Sequence, residues 1–202
     1  MAVSRKRLEL DNIQIASYGR PYMGEHVSGD GAVMVPHGNR ILLAMIDGLG
    51  HGPAAHEVAT MTQKHLAQAR PDDLAILLSE LHQVLQGSIG AAVGMGFFDM
   101  ENGRFDYLGI GNTTVRAFGS QEKRLISVDG IVGEIWRVPT PQTLTLRRGD
   151  LLLMYSDGVS DRFDLTDYPK LKTFGAAAVA RAVVDRFGKD HDDATCLAVR
   201  IG

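Results

Sequence analysis

The sequence predicts an α+β protein in which antiparallel sheets are covered by helices, and three observations carry that reading. Two long, mostly apolar runs, 41–46 and 151–156, end in turn residues, as strands buried on both faces do. Residues 91–118 break into short β-like stretches separated by turn formers. Helical periodicity comes in separate blocks that do not alternate with single strands, which disfavours a doubly wound parallel sheet.

The run 41–46 stops at Asp47-Gly48, a strand entering a tight turn. Over 53–69 the pattern becomes helical: Pro53 suits a first turn, and Val58, Met61, His65 and Leu66 fall on one face. A second helix follows from Asp72 or Asp73, with Leu74, Leu77, Leu78, Leu81 and Leu85 in register and Asp72 as its N-cap. Strands are expected at 91–98, 104–109 and 113–118, around Asn102-Gly103 and Gly111-Asn112. Residues 99–103 lack the alternating acidic ligands of a calcium loop and read as a hairpin turn. Residues 143–146 and 150–155 are expected to pair around Arg147-Arg148-Gly149. A third helix spans 174–187, and a strand at 194–201 closes the chain, with Cys196 as a small core residue.

At 202 residues the chain fits a single domain, 1–202, with a charged N-terminal segment at 1–12. Hydrophobic residues at 45% and charged residues at 22% are ordinary for a soluble protein. A formal charge of -3 gives no general reason to bind nucleic acid or an anionic membrane. The one cysteine permits no intrachain disulfide and points to a reducing compartment. The N-terminus has no signal-peptide core, and no stretch reaches the roughly 20 apolar residues of a membrane span. A cytoplasmic protein is expected.

The chemistry concentrates in carboxylates at strand ends. Asp30 lies in Ser28-Gly29-Asp30-Gly31, Asp47 ends one apolar run, Asp157 ends the other, and Asp192-Asp193 precede the last strand. A single Asp-Gly pair is an ordinary turn. Several carboxylates that converge cannot all stay ionised unless cations neutralise them, and an all-oxygen set suits Mg²⁺ or Mn²⁺ rather than Zn²⁺. There is no Gly-x-Ser-x-Gly elbow, no Walker loop and no loop cysteine, so elimination favours metal-activated water.

Gly29-Asp30, Asp47-Gly48-Leu49-Gly50-His51-Gly52, Ser156-Asp157-Gly158 and Asp192-Asp193-Ala194-Thr195, in this order, resemble the metal-dependent Ser/Thr protein phosphatases of type 2C, in their bacterial SpoIIE-like branch. The resemblance runs from about Gly19 to the C-terminus. It implies a four-layer αββα sandwich, two antiparallel sheets face to face with helices outside. It implies two Mn²⁺ or Mg²⁺ ions, or three, held by the catalytic carboxylates Asp30, Asp47, Asp157 and Asp192. Asp47 would bridge the ions with the Gly48 carbonyl as a further ligand, Asp30 would reach one ion, and Asp157 and Asp192 the other. Asp193 is the weaker match beside Asp192.

Arg20 is the nearest candidate for holding the substrate phosphate, and His51 is expected to support the turn rather than act as an acid. Trp136, beside Arg137, is expected to be buried in a local cluster. The implied substrate is a phosphorylated anti-sigma-factor antagonist or stressosome scaffold protein. The alternatives are a catalytically inactive phosphatase-like module that binds a phosphoprotein or kinase, and a metal-dependent hydrolase of small phosphoesters.

Overall fold

A computed structural model describes residues 3–10 and 12–202, with the side chains of 166 and 172 left aside. Its strands are β1 (Ser4–Leu10), β2 (Ile13–Arg20), β3 (Asp30–His37), β4 (Arg40–Gly48), β5 (Ala91–Asp99), β6 (Arg104–Ile110), β7 (Thr114–Phe118), β8 (Lys123–Leu125), β9 (Gln142–Thr145), β10 (Leu151–Tyr155) and β11 (Ala194–Ile201). The helices are α1 (Gly52–Gln68), α2 (Leu74–Leu85) and α3 (Ala176–Phe187), with two 3-10 turns at Leu165–Asp167 and Pro169–Thr173. A six-stranded sheet runs β1-β2-β11-β10-β7-β8 and a five-stranded sheet runs β3-β4-β5-β6-β9. Every strand pairing within them is antiparallel.

The apolar runs explain the layering. Because side chains alternate along a strand, a fully apolar strand feeds two cores. Ile41, Leu43 and Met45 face the other sheet and meet Leu152, Met154, Leu197 and Val199. Leu42, Ala44 and Ile46 face outward and pack under Val58, Leu66, Leu77, Leu78 and Leu81 of α1 and α2. On the far side, Leu151, Leu153 and Tyr155 pack under Val179, Ala180 and Val183 of α3. The order is helix, sheet, sheet, helix: the four-layer αββα sandwich.

Several local expectations need correction. The strands at 142–145 and 151–155 do not pair with each other. β9 lies against β6 in one sheet and β10 between β7 and β11 in the other, so Arg147-Arg148-Gly149 is a crossing between sheets rather than a hairpin turn. Asp73, not Asp72, caps α2: its Oδ1 accepts from the Ala75 and Ile76 amides at 2.7 and 3.1 Å. Asp72 points away and accepts from Arg40 Nη2 at 2.7 Å, with His37 Nε2 also 2.7 Å from it. The third helix begins at Ala176, two residues later than expected.

The N-terminal segment forms β1, an exposed edge strand; residues 1, 2 and 11 of that segment lie outside the described residues. Trp136 is half-buried against the α1–α2 core, tilted over His82 at 5.3 Å between ring centroids. Among the described residues no helix is long and apolar enough to cross a membrane.

The two caps give a direct test. Asp73→Ala should lower stability to urea by about 1 kcal/mol, since two helix-start amides lose their acceptor. Asp72→Ala should cost less, because it touches only surface partners. Equal losses would contradict the assignment of the cap.

Candidate active site

The same alternation that builds the core between the sheets delivers the acidic site. Along β4 the inward row Ile41, Leu43, Met45 continues as Asp47, and along β3 the row containing Ala32 continues back to Asp30. Past β10 the row Leu152, Met154 continues as Ser156, and ahead of β11 the row Thr195, Leu197, Val199 starts from Asp193. Both sheets therefore end, at one edge of the sandwich, in polar groups pointing into the space between them.

Asp30 and Asp47 are opposite each other across the β3–β4 ladder. The hydrogen-bonded position falls one step along, at Gly29 and Gly48, so the two aspartates occupy the close pairing, with Cα atoms about 4.5 Å apart. Ser156 comes across from the other sheet and donates its Oγ–H to Asp30 Oδ2 at 2.6 Å, while its Oγ accepts from the Thr195 amide at 3.1 Å. Asp157 follows at once and accepts from Asn112 Nδ2 at 2.7 Å; its carboxyl is also within hydrogen-bonding reach of Asp47. Asp192, half-buried, completes the group from the lead-in to β11.

Crowding like charges at a desolvated edge raises their proton affinity. Burial first, then the charges of Asp30, Asp157 and Asp192, push the Asp47 carboxyl up to about 9. Burial likewise pushes Asp30 up to about 8, opposed by the Ser156 hydrogen bond and reinforced by Asp193 and Asp192. Asp192 is also shifted upward, by burial and by Asp157, with Lys189 opposing. A cation placed among these carboxylates would offset the same repulsion.

The donor set is all oxygen, which fits a hard divalent ion. Among the described residues no three His, Cys, Asp or Glu side chains close around one point. An all-oxygen set suits Mg²⁺ or Mn²⁺ rather than Zn²⁺, which favours Cys and His ligands. The Gly48 carbonyl lies at the same edge, beside Asp47. The Gly48 N–H donates to the Gly29 carbonyl at 3.0 Å, whereas the Gly29 N–H, which an antiparallel pair would return to the Gly48 carbonyl, goes elsewhere. Any side chain at 48 would meet the Ala55 carbonyl at 2.7 Å, so only glycine lets α1 sit this close behind the turn.

Two expected site residues take other tasks. Asp193 is buried, and its carboxylate accepts from the Tyr22 amide (Oδ1, 2.7 Å) and the Gly29 amide (Oδ2, 2.8 Å). Arg20, expected to hold phosphate, has its guanidinium committed to backbone: Nη2 donates to the Lys189 carbonyl at 2.7 Å and Nη1 to the Asp192 and Pro21 carbonyls at 3.3 Å. It braces the loop that carries Asp192. His51 precedes α1, stacks on Tyr22 at 4.8 Å and lies 3.2 Å from Glu25 Oε1 through Nδ1, a supporting position in the turn.

Asn112 and Ser156 carry roles that the sequence reading did not assign. Ser156 was recoverable, because it continues the inward row of Leu152 and Met154. Asn112 was not: its link to Asp157 spans 45 positions and leaves no local pattern.

A face-to-face pair of antiparallel sheets between helices, closed at one edge by these carboxylates, is a PP2C-like fold. A family model described as Stage II sporulation protein E (SpoIIE) matches residues 37–202, and the chain belongs to this SpoIIE family. The matched span includes Asp47, Asp157 and Asp192 and begins after Asp30, which the β3–β4 register sets opposite Asp47. The phosphoserine phosphatase RsbX of Bacillus subtilis (strain 168) is 20% identical over 154 residues, 75% of this chain and 77% of that protein.

Among solved structures, one from work on the bacterial stressosome as a modular system adapted to control secondary messenger signaling aligns with a TM-score of 0.86 at 23% identity, covering 93% of this chain and 99% of that one. RsbX in complex with magnesium aligns at 0.83 with 18% identity, over 98% and 100% of the two chains.

The raised carboxyls fix the pH response of the metal-free protein. Asp30 and Asp47 keep protons in the folded state where the unfolded chain, at 3.8, has lost them. The folded state then binds more protons, so stability from this source is full below about pH 4 and is lost as pH rises towards 9. In EDTA, Asp47→Asn should raise the denaturation midpoint at pH 8 and flatten its slope between pH 5 and 9. A variant with the wild-type slope would contradict the placement of these charges.

Proposed function

We propose that the chain is a metal-dependent phosphoserine/phosphothreonine protein phosphatase, a single phosphatase domain over 1–202, acting on a phosphorylated anti-sigma-factor antagonist or stressosome scaffold protein. The observation that carries the reading is that Asp30 and Asp47 from one sheet and Asp157 and Asp192 from the other gather along one partly buried edge, near enough for their charges to act on one another. Likeness to RsbX, a phosphoserine phosphatase solved with magnesium, supports both the substrate class and the cation.

Asp47, the Gly48 carbonyl, Asp30, Asp157 and Asp192 are the residues that would hold two Mn²⁺ or Mg²⁺ ions, with room in the chemistry for a third. When bound, such ions lower the pKa of water towards neutrality and offset charge on a phosphoryl group. The chain's own part is positional. Ser156 fixes one oxygen of Asp30, Asn112 fixes one oxygen of Asp157, and Arg20 holds the Asp192 loop, so the carboxylates are set before substrate arrives. No side chain need act as a covalent nucleophile, in keeping with Cys196 being buried within β11. A cytoplasmic location accords with that free thiol.

The test is phosphate release from a phosphorylated antagonist-type protein with Mn²⁺ or Mg²⁺, with and without EDTA. Turnover should need the metal, and Asp47→Asn should lower kcat/KM about a hundredfold or more. Tight binding of the phosphoprotein without turnover in the wild type would instead identify a catalytically inactive binding module.

A further inference from the structure

We infer that Asp193 is a positioning residue: by capturing the Gly29 amide it releases the Gly48 carbonyl from the β3–β4 ladder and turns it into a cation ligand. The inference rests on the metal-site reading above and concerns how that site is made.

The ladder geometry carries the argument. Gly29 and Gly48 stand opposite each other one step beyond the Asp30–Asp47 pair, and Gly48 N–H donates to the Gly29 carbonyl at 3.0 Å. In an antiparallel sheet the residues of such a pair exchange both hydrogen bonds. Here only one forms, because the Gly29 N–H donates to Asp193 Oδ2 at 2.8 Å. The neighbour on the other side cannot substitute: Leu49, not Gly48, bonds across on the β5 side, through its N–H to the carbonyl of Gly90, the residue before β5, at 3.1 Å. The Gly48 carbonyl thus has neither of the ladder donors next to it.

Asp193 is suited to this work. It is only 3% exposed, and its other oxygen takes the Tyr22 amide at 2.7 Å, so one carboxylate pins both ends of the 22–29 segment. A carboxylate accepting N–H bonds forms stronger bonds than a neutral carbonyl would, which lets it win the Gly29 amide from Gly48. Gly29 is needed for the approach: a Cβ there would lie 2.6 Å from Ala55 Cβ and 3.1 Å from Asp193 Oδ2. With both oxygens serving amides, Asp193 acts on the ions through Gly48 and not by direct ligation.

Scalar couplings through hydrogen bonds in the metal-free, full-length protein read this directly. Wild type should couple the Gly29 amide nitrogen to the Asp193 side-chain carboxyl carbon; coupling to the Gly48 carbonyl carbon instead would overturn the inference with no variant required. In Asp193→Ala the Gly29–Gly48 coupling should appear, and calorimetric Mn²⁺ affinity should fall about tenfold or more with the number of bound ions unchanged. Asp193→Asn, which keeps one acceptor, should fall between. Unchanged affinity in a variant whose coupling has moved, or loss of a whole ion, would also overturn it. Both readouts are taken without phosphoprotein, so a chain that binds Mn²⁺ yet releases no phosphate contradicts the proposed function alone.

Discussion

Four carboxylates held together at the end of an apolar layer repel one another, and the surrounding structure is arranged to tolerate that repulsion. The layer itself creates the difficulty. Its inward rows, Ile41-Leu43-Met45 on one sheet and Leu152-Met154 on the other, run out at the edge where the partly buried Asp47 and the buried Ser156 follow. Desolvation is the first cause of the upward shifts at both Asp30 and Asp47, ahead of any neighbouring charge. A fold that buries charge in this way loses stability unless protons or cations compensate, which ties the fold and its proposed chemistry to the same constraint.

Braces between the sheets keep the cluster from relaxing apart. Ser156 on the six-stranded side hydrogen-bonds Asp30 on the five-stranded side, and Asp193 reaches from the lead-in of β11 to the segment before β3. Arg20, at the end of β2, holds the carbonyls of Lys189 and Asp192. These bonds join β2, β3, β10 and β11 at the edge where the sandwich would otherwise splay. α1 then closes the back of the turn, admitted by the missing side chain at Gly48.

Much of this was legible in the sequence where the information is local. The apolar runs, the helical face of α2 and the acidic strand ends follow from spacing alone. What was not legible is which sheet a strand joins. The stretches at 142–145 and 151–155 flank a turn-like Arg-Arg-Gly, yet nothing in either says that one pairs with β6 and the other with β11. β1 escaped for a related reason: Arg5, Lys6 and Arg7 on an exposed edge show no apolar alternation, and only pairing to β2 makes them a strand. In the site, residue type and order picked out the carboxylates as candidates and already ranked Asp192 above Asp193, whereas the hydrogen bonds of the Arg20 guanidinium to distant backbone carbonyls show only in the fold.

The central claim is that this edge of the sandwich holds divalent cations. Anomalous diffraction at the manganese edge from crystals soaked in Mn²⁺ tests it most directly. The account predicts peaks among Asp30, Asp47, Asp157 and Asp192, with one within coordination distance of the Gly48 carbonyl and none bonded to Asp193. Absence of any peak at this edge at saturating Mn²⁺, or ions ligated by Asp193 in place of Gly48, would contradict it.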